Sequence, residues 1–194
     1  MIKVILCGDG SVGKTEIKTR FVGETDRPSY LMTAAADFSS KEIVTERSLV
    51  QLQIWDLSGQ PQYSEIRKAF FKGAHIAIVV FDLTQDKSFE HVPAWINELF
   101  SSLGSQIPVI LVGNKTDLRE VQVEGLGPSL GQKLANELSE QYYNQAYSIP
   151  YIEVSAVEGY NISKVFETAA VVAQRLEAPL CCARKKKLKT QRMN

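Results

Sequence analysis

Residues 8–15 carry the first pattern in the sequence whose residue types could do chemistry. They fit the spacing Gly-x-x-x-x-Gly-Lys-(Ser/Thr), a glycine-rich turn that leads from a strand into a helix. The glycines let the backbone wrap around phosphates, and amide N–H groups of the turn and the helix start attract the anion. Lys14 would reach the terminal phosphates, and the Thr15 hydroxyl would bind Mg²⁺. The predicted phosphate-binding residues are Gly8, Asp9, Gly10, Ser11, Val12, Gly13, Lys14 and Thr15.

A second group of candidate residues follows the third predicted strand. Asp56 is placed to hold Mg²⁺, Gly59 to offer its backbone N–H to a γ-phosphate, and Gln60 to orient an attacking water. Lys14 and Gln60 are therefore the predicted catalytic residues. Thr33, which precedes the second strand, is a candidate for a further hydroxyl ligand because of its position. The predicted metal ligands are Thr15, Thr33 and Asp56.

Two further loops indicate which base the nucleotide carries, because kinases and ATPases also use the phosphate loop. Residues 114–117 read Asn-Lys-Thr-Asp after the fifth strand, and Ser155, Ala156 and Val157 follow the sixth. The Asp117 carboxylate can accept hydrogen bonds from N1–H and the 2-amino group of guanine, and adenine offers neither. Asn114 and Lys115 would brace the base and the phosphate loop, and the Ala156 N–H would meet the guanine carbonyl. This pattern predicts GDP and GTP as ligands and opposes an ATP-dependent kinase.

The elements that must position these loops alternate between short apolar strands and amphipathic segments. This alternation predicts an α/β fold with a mostly parallel six-stranded sheet and helices on both faces. The predicted strands are 2–7, 38–46, 48–56, 75–82, 107–113 and 150–154, with the second and third forming a hairpin at one sheet edge. The predicted helices are 14–22, 64–72, 92–103, 129–144 and 161–177. Trp95 fits a buried helix stripe, His75 a strand edge and His91 a helix start.

The composition is that of a globular protein, with its charge divided unevenly along the chain. The 22 basic and 22 acidic residues cancel, but residues 184–194 hold six of the basic ones. Residues 1–183 therefore carry a net charge of about −6 and the end of the chain about +6. No apolar run approaches the roughly 18 residues that span a bilayer, and no signal peptide is recognisable, which predicts a cytoplasmic protein.

Residues 2–177 resemble the small GTPases of the Ras superfamily, and most of all the Rab family. The resemblance rests on the four motifs above and on Ala36-Asp-Phe38, Leu52-Gln-Ile-Trp-Asp56, Phe71-Lys-Gly-Ala74 and Val80-Phe-Asp-Leu-Thr84. It implies a P-loop NTPase G domain, over residues 1–178, that cycles between GDP and GTP. It also implies exchange factors, GTPase-activating proteins and effectors that read two switch segments, at 26–38 and 57–72.

Four departures from the family pattern bear on the nucleotide cycle. Asp26 stands where the family usually places an aromatic ring against guanine, and Ala34-Ala35 replaces the usual Ile-Gly. Pro61 follows Gln60 where the family usually has Glu, and a residue before proline is pushed toward extended geometry. Extra residues around 139–147 lengthen the interval between Asp117 and Ser155.

The chain end, residues 179–194, is predicted to be a flexible basic tail. Cys181 and Cys182 are trailed by twelve residues, so neither a terminal Cys-Cys nor a C-a-a-X box is present and ordinary prenylation is not expected. The basic residues favour reversible association with an anionic membrane surface on its cytosolic side, with a solvated tail as the alternative. No specific nucleic-acid partner is expected, because no aromatic residue is interleaved with the charges.

Two functions remain open from the sequence. The first is a Rab-like switch that binds GDP and GTP with Mg²⁺ and hydrolyses GTP slowly, aided by a GTPase-activating protein, in vesicle or membrane traffic or signalling. The alternative is a module that holds guanine nucleotide with little or no hydrolysis. Asp26, Ala35 and Pro61 favour the second.

Overall fold

The computed structural model describes residues 1–23, 35–46, 48–119 and 128–175. These contain a six-stranded sheet with the order β2-β3-β1-β4-β5-β6. The hairpin partner β2 runs antiparallel to β3, and all other neighbours are parallel. The strands are β1 (Ile2–Cys7), β2 (Ala36–Val44), β3 (Leu49–Leu57), β4 (Ile76–Asp82), β5 (Val109–Asn114) and β6 (Tyr151–Glu153).

Helices connect the strands and cover the sheet. They are α1 (Lys14–Val22), α2 (Ser64–Phe71), α3 (Asp86–Glu90), α4 (Val92–Leu103), α5 (Pro128–Tyr143) and α6, which covers residues 162–175. Pro93 lies in the first turn of α4, where its missing N–H has no intrahelical partner to lose. Within the described part of the chain, no helix is both long and apolar enough to cross a membrane.

Alternation along β1 divides the core into two clusters. Val4 and Leu6 point to the face that Ile17 of α1 and Phe166 of α6 cover. Ile5 and Cys7 point to the opposite face, with side chains of α2, α4 and α5. Burial also raises the pKa of the Cys7 thiol to about 12, as expected of an inert core cysteine.

The predicted fold class is confirmed, including the edge hairpin and the helices on both faces. The clearest boundary error is at β2, which begins two residues earlier than predicted because its ladder with β3 continues to the pair Ala36–Leu57. Parallel strands place their carboxyl ends at one edge of the sheet. The segments after β1, β3, β5 and β6, which carry the predicted site residues, therefore meet there.

A buried ion pair fixes the start of β2 against α1. Lys18 is fully buried, and its ammonium group is paired with the Asp37 carboxylate. A buried ammonium is costly unless it is paired, so this contact favours one position of β2 relative to α1. The pair thereby fixes the end of the first predicted switch segment, in which Asp37 lies.

Candidate functional site

The phosphate loop, residues 8–15, connects β1 to α1 and has the backbone shape that its glycines allow. Gly8 and Gly13 adopt φ values of +136° and +94°, which L side chains rarely adopt. A Cβ at Gly8 would lie 2.1 Å from the Val80 carbonyl oxygen, so the loop packs closely on β4. Gly13 occupies the N-cap position of α1 and has no side chain to satisfy the first amides of the helix. These amides are suited to an anion.

Lys14 is buried in the centre of the loop. Its ammonium donates hydrogen bonds to the carbonyl oxygens of Gly8, at 2.9 Å, and Asp9, at 2.6 Å. Burial lowers the pKa of the ammonium, and the nearby Asp56 carboxylate opposes that effect. The lysine is thus a cation held among loop carbonyls, which is the position a phosphate-binding lysine needs.

Two of the predicted metal ligands lie together at the end of β3. The Thr15 hydroxyl donates to the Asp56 carboxylate at 2.5 Å, and Asp56 is fully buried. A hydroxyl and a carboxylate are hard oxygen donors that fit Mg²⁺, which commonly takes its remaining ligands from phosphates and water. Among the described residues no group of three or more His, Cys, Asp or Glu side chains could hold a metal. The oxygen donors of Thr15 and Asp56 fit an Mg²⁺ ion that binds together with a phosphate ligand.

The chain after β3 lies directly against the phosphate loop at Gly59. A Cβ at Gly59 would be 2.3 Å from the Asp9 carbonyl carbon and 2.5 Å from the Gly10 nitrogen. Gln60 is extended, with φ −77° and ψ 136°, as expected of a residue before proline. Its side-chain oxygen accepts a hydrogen bond from Gln62 at 2.8 Å.

The predicted base-binding loops are joined to the phosphate loop by Asn114. Its side-chain Nδ2 donates to the Val12 carbonyl at 2.9 Å, and its Oδ1 accepts from the Ala156 N–H at 3.1 Å. The same N–H was predicted to meet the guanine carbonyl, so Asn114 and the base would share it. Asn114 is buried, which strengthens both bonds by excluding water.

The remaining residues of these loops form two polar contacts. The Ser155 hydroxyl donates to the Asp117 carboxylate at 2.5 Å, which orients the carboxylate predicted to read guanine. Lys115 pairs with the buried Asp82 carboxylate at 2.6 Å, a partner that the sequence did not indicate. Val157 is exposed. Thr33, Asp26, Ala34 and the tail at 179–194 lie outside the described residues.

Sequence reasoning missed a group of side chains behind the phosphate loop. The Trp95 indole N–H donates to Asp9 Oδ1 at 2.7 Å, and His91 Nδ1 lies 2.7 Å from Asp9 Oδ2. Trp95 is buried as predicted, and its N–H in addition forms a hydrogen bond with the phosphate loop. A buried indole N–H usually finds a partner, and this is the signal that could have drawn attention to it. Arg67, also missed, stacks over the Trp95 ring, with its Cζ 4.3 Å from the ring centroid.

The chain is similar in sequence to a known protein family and to several of its members. Residues 3–175 match the family model described as the Ras family. The chain is 34% identical to the Ras-related protein Rab7 of Drosophila melanogaster, over 92% of this chain and 83% of that protein. It is 35% identical to the Ras-related protein RIC1 of Oryza sativa subsp. japonica, over 88% and 79%. It is 32% identical to the Ypt/Rab-type GTPase avaA of Emericella nidulans, over 88% and 80%.

The close approach at Gly13 gives a test of the site with a matched control. In Gly13→Ala the new Cβ would lie 2.2 Å from Asn114 Nδ2, at a left-handed backbone that costs an alanine about 1–3 kcal/mol. We expect GDP affinity to fall by about 100-fold or more. At Gly10 a Cβ meets no protein atom within 4 Å, so Gly10→Ala should keep GDP affinity within about threefold. Equal affinities of both variants, measured by isothermal titration calorimetry, would contradict the placement of the nucleotide.

Proposed function

The chain belongs to the Ras family and is a Rab-like small GTPase, and from this premise we propose that it binds GDP and GTP with Mg²⁺ and hydrolyses GTP as a molecular switch. The observation that carries the proposal is the Asn114 amide, which joins the phosphate loop to the predicted guanine loop. A single ligand with a base at one end and phosphates at the other fits that arrangement. We place the switch in vesicle or membrane traffic or in signalling.

The phosphate end of the site would hold and neutralise the nucleotide. Lys14 would exchange its carbonyl partners for phosphate oxygens, and the first amides of α1 would face the same charge. Thr15 and Asp56, with Thr33 as a further candidate, would hold Mg²⁺. The bound ion would neutralise charge that develops on the β- and γ-phosphates.

Hydrolysis would depend on the segment at Gly59 and Gln60. A water oxygen attacks the γ-phosphorus, the bond to the bridging oxygen breaks, and GDP leaves with the bonding electron pair, while a proton of the water passes to the released phosphate. Gly59 would offer its N–H to the γ-phosphate from its position against the phosphate loop. Gln60 would orient the water after it gives up its contact with Gln62. The need to break the hydrogen bond between Gln60 and Gln62 is consistent with a slow intrinsic hydrolysis rate that a GTPase-activating protein raises.

The base end would select guanine. Asp117, oriented by Ser155, would accept hydrogen bonds from N1–H and the 2-amino group of the base. The Ala156 N–H would face the guanine carbonyl, and Val157 would border the pocket. Lys115 would support the base from its ion pair with Asp82.

Exchange factors, GTPase-activating proteins and effectors would dock on the switch segments, 26–38 and 57–72. The described part of these segments exposes apolar side chains, with Phe38 56% and Ile66 51% exposed. Exposed aromatic and aliphatic groups of this kind are typical of protein-binding surfaces. Such partners could act on the protein only if it changes between its GDP-bound and GTP-bound states.

The alternative, a module that holds nucleotide without turnover, has one observation in its favour. Gln60 is engaged by Gln62 and kept extended by Pro61. To decide, the nucleotide bound to purified protein is extracted, and single-turnover GTP hydrolysis is followed with Mg²⁺. We expect guanine nucleotide and a measurable rate that chelation of Mg²⁺ abolishes. Guanine nucleotide without turnover would establish the alternative, and adenine nucleotide would contradict both.

The basic tail would associate reversibly with anionic membranes on their cytosolic face. The six basic residues of 184–194 support this, since each contributes about 1 kcal/mol near an anionic surface. We expect the full chain to sediment with phosphatidylserine vesicles at low salt and to be released at about 0.5 M salt, where screening is strong. Deletion of residues 183–194 should abolish the sedimentation. Binding that survives the deletion would contradict a role for the tail.

A further inference from the structure

Arg67 is a buried cation on α2 that contacts two other parts of the protein. Its side chain is 3% exposed. Nε and Nη2 donate to the two carboxylate oxygens of Glu98 on α4, at 2.9 Å and 3.0 Å. Nη1 donates to the backbone carbonyls of Ser58 at 2.6 Å and Gln60 at 3.3 Å. The planar guanidinium is well suited to hold a carboxylate and a pair of carbonyls at once.

The two carbonyls that Arg67 holds lie on either side of Gly59. Gly59 is the residue whose backbone approaches the phosphate loop so closely that no Cβ fits. Arg67 therefore holds the peptide group that joins Ser58 to Gly59 and the one that joins Gln60 to Pro61. A shift of the guanidinium would move Gly59 and Gln60 together.

One face of the guanidinium stacks on the Trp95 ring of α4, and the Trp95 N–H donates to the Asp9 carboxylate of the phosphate loop. The cation–π interaction between a buried arginine and an aromatic ring is attractive, and it stabilises the guanidinium in its position over the ring. The position of Arg67 is thus set by two side chains of α4, Glu98 and Trp95, and through Trp95 by the phosphate loop.

We propose that Arg67, held by Glu98, is a positioning residue for GTP hydrolysis. It acts through the backbone, because its guanidinium nitrogens already bind Glu98 and the two carbonyls, which leaves it unsuited to reach a phosphate. Its effect is to keep Gly59 and Gln60 at the γ-phosphate side of the site. The inference rests on the proposed function, because the reaction it serves is the proposed hydrolysis.

A purely structural role for the pair makes a different prediction. If the pair only stabilised the fold, its loss would lower thermal stability and weaken GDP binding and hydrolysis together. If it positions Gly59 and Gln60, hydrolysis must fall far more than GDP affinity, because the proposed contacts to GDP come from the phosphate loop and the guanine loops. The ratio of the two effects separates the roles.

The test compares single-turnover GTP hydrolysis and GDP affinity in the full chain. In Arg67→Gln we expect hydrolysis to slow by about tenfold or more, equivalent to about 1.4 kcal/mol, with GDP affinity within about threefold of wild type. Arg67→Lys should hydrolyse GTP at a rate between those of wild type and Arg67→Gln, because lysine keeps the positive charge but cannot form the paired hydrogen bonds of a guanidinium. Lys133→Gln is the matched control, since Lys133 is an exposed cation on α5, outside both switch segments, that pairs with Glu137, and it should hydrolyse at the wild-type rate.

Glu98→Gln keeps Arg67 and one acceptor oxygen, so it gives a decisive result even if Arg67→Gln fails to fold. We expect it to slow hydrolysis about threefold, with GDP affinity unchanged. Wild-type hydrolysis in Glu98→Gln and Arg67→Lys, or an equal loss of GDP affinity and hydrolysis, would overturn the positioning role and leave the proposed function standing. Absence of turnover in the wild-type protein would overturn both.

Discussion

The side-chain amide of Asn114 is the contact on which the rest of the site depends. One end donates to the phosphate loop at Val12, and the other accepts from the loop that follows β6 at Ala156. These partners are 102 and 42 residues away in the sequence, so only the sheet order brings them together. The bridge explains why Gly13 must lack a side chain. It also sets one fixed distance between the predicted positions of base and phosphates.

The two halves of the site are held by different kinds of interaction. On the guanine side, Asn114 makes buried hydrogen bonds between uncharged groups, and the Ser155 hydroxyl donates to the carboxylate of the exposed Asp117. The segment at Gly59 is held by a charged pair, Arg67 with Glu98, which reaches it through backbone carbonyls. These two sets of contacts share no residue.

The alternation of apolar strands with amphipathic segments made the fold predictable, and short motifs indicated the candidate binding loops. The phosphate loop, Asp56 and residues 114–117 each follow a strand, and the rule that ligands bind at the carboxyl ends of parallel strands places them together. The sequence did not predict the ion pairs of Arg67 with Glu98 and of Lys18 with Asp37, or the hydrogen bond of Trp95 to Asp9. The partners in these contacts lie 31, 19 and 86 residues apart, on different elements, and such contacts leave no local pattern. The hints are a lysine beside Ile17 in the core face of α1 and an indole N–H that burial obliges to find an acceptor.

The ligand proposed for this site is one guanine nucleotide that contacts both of the loops that Asn114 joins. Its selectivity can be measured by displacing a fluorescent GDP analogue with GDP or with ADP in the presence of Mg²⁺. We expect GDP to displace the analogue and ADP to bind more weakly by about 10⁴-fold, because adenine leaves the Asp117 carboxylate unpaired. ADP affinity within tenfold of that of GDP would contradict a guanine-selective site.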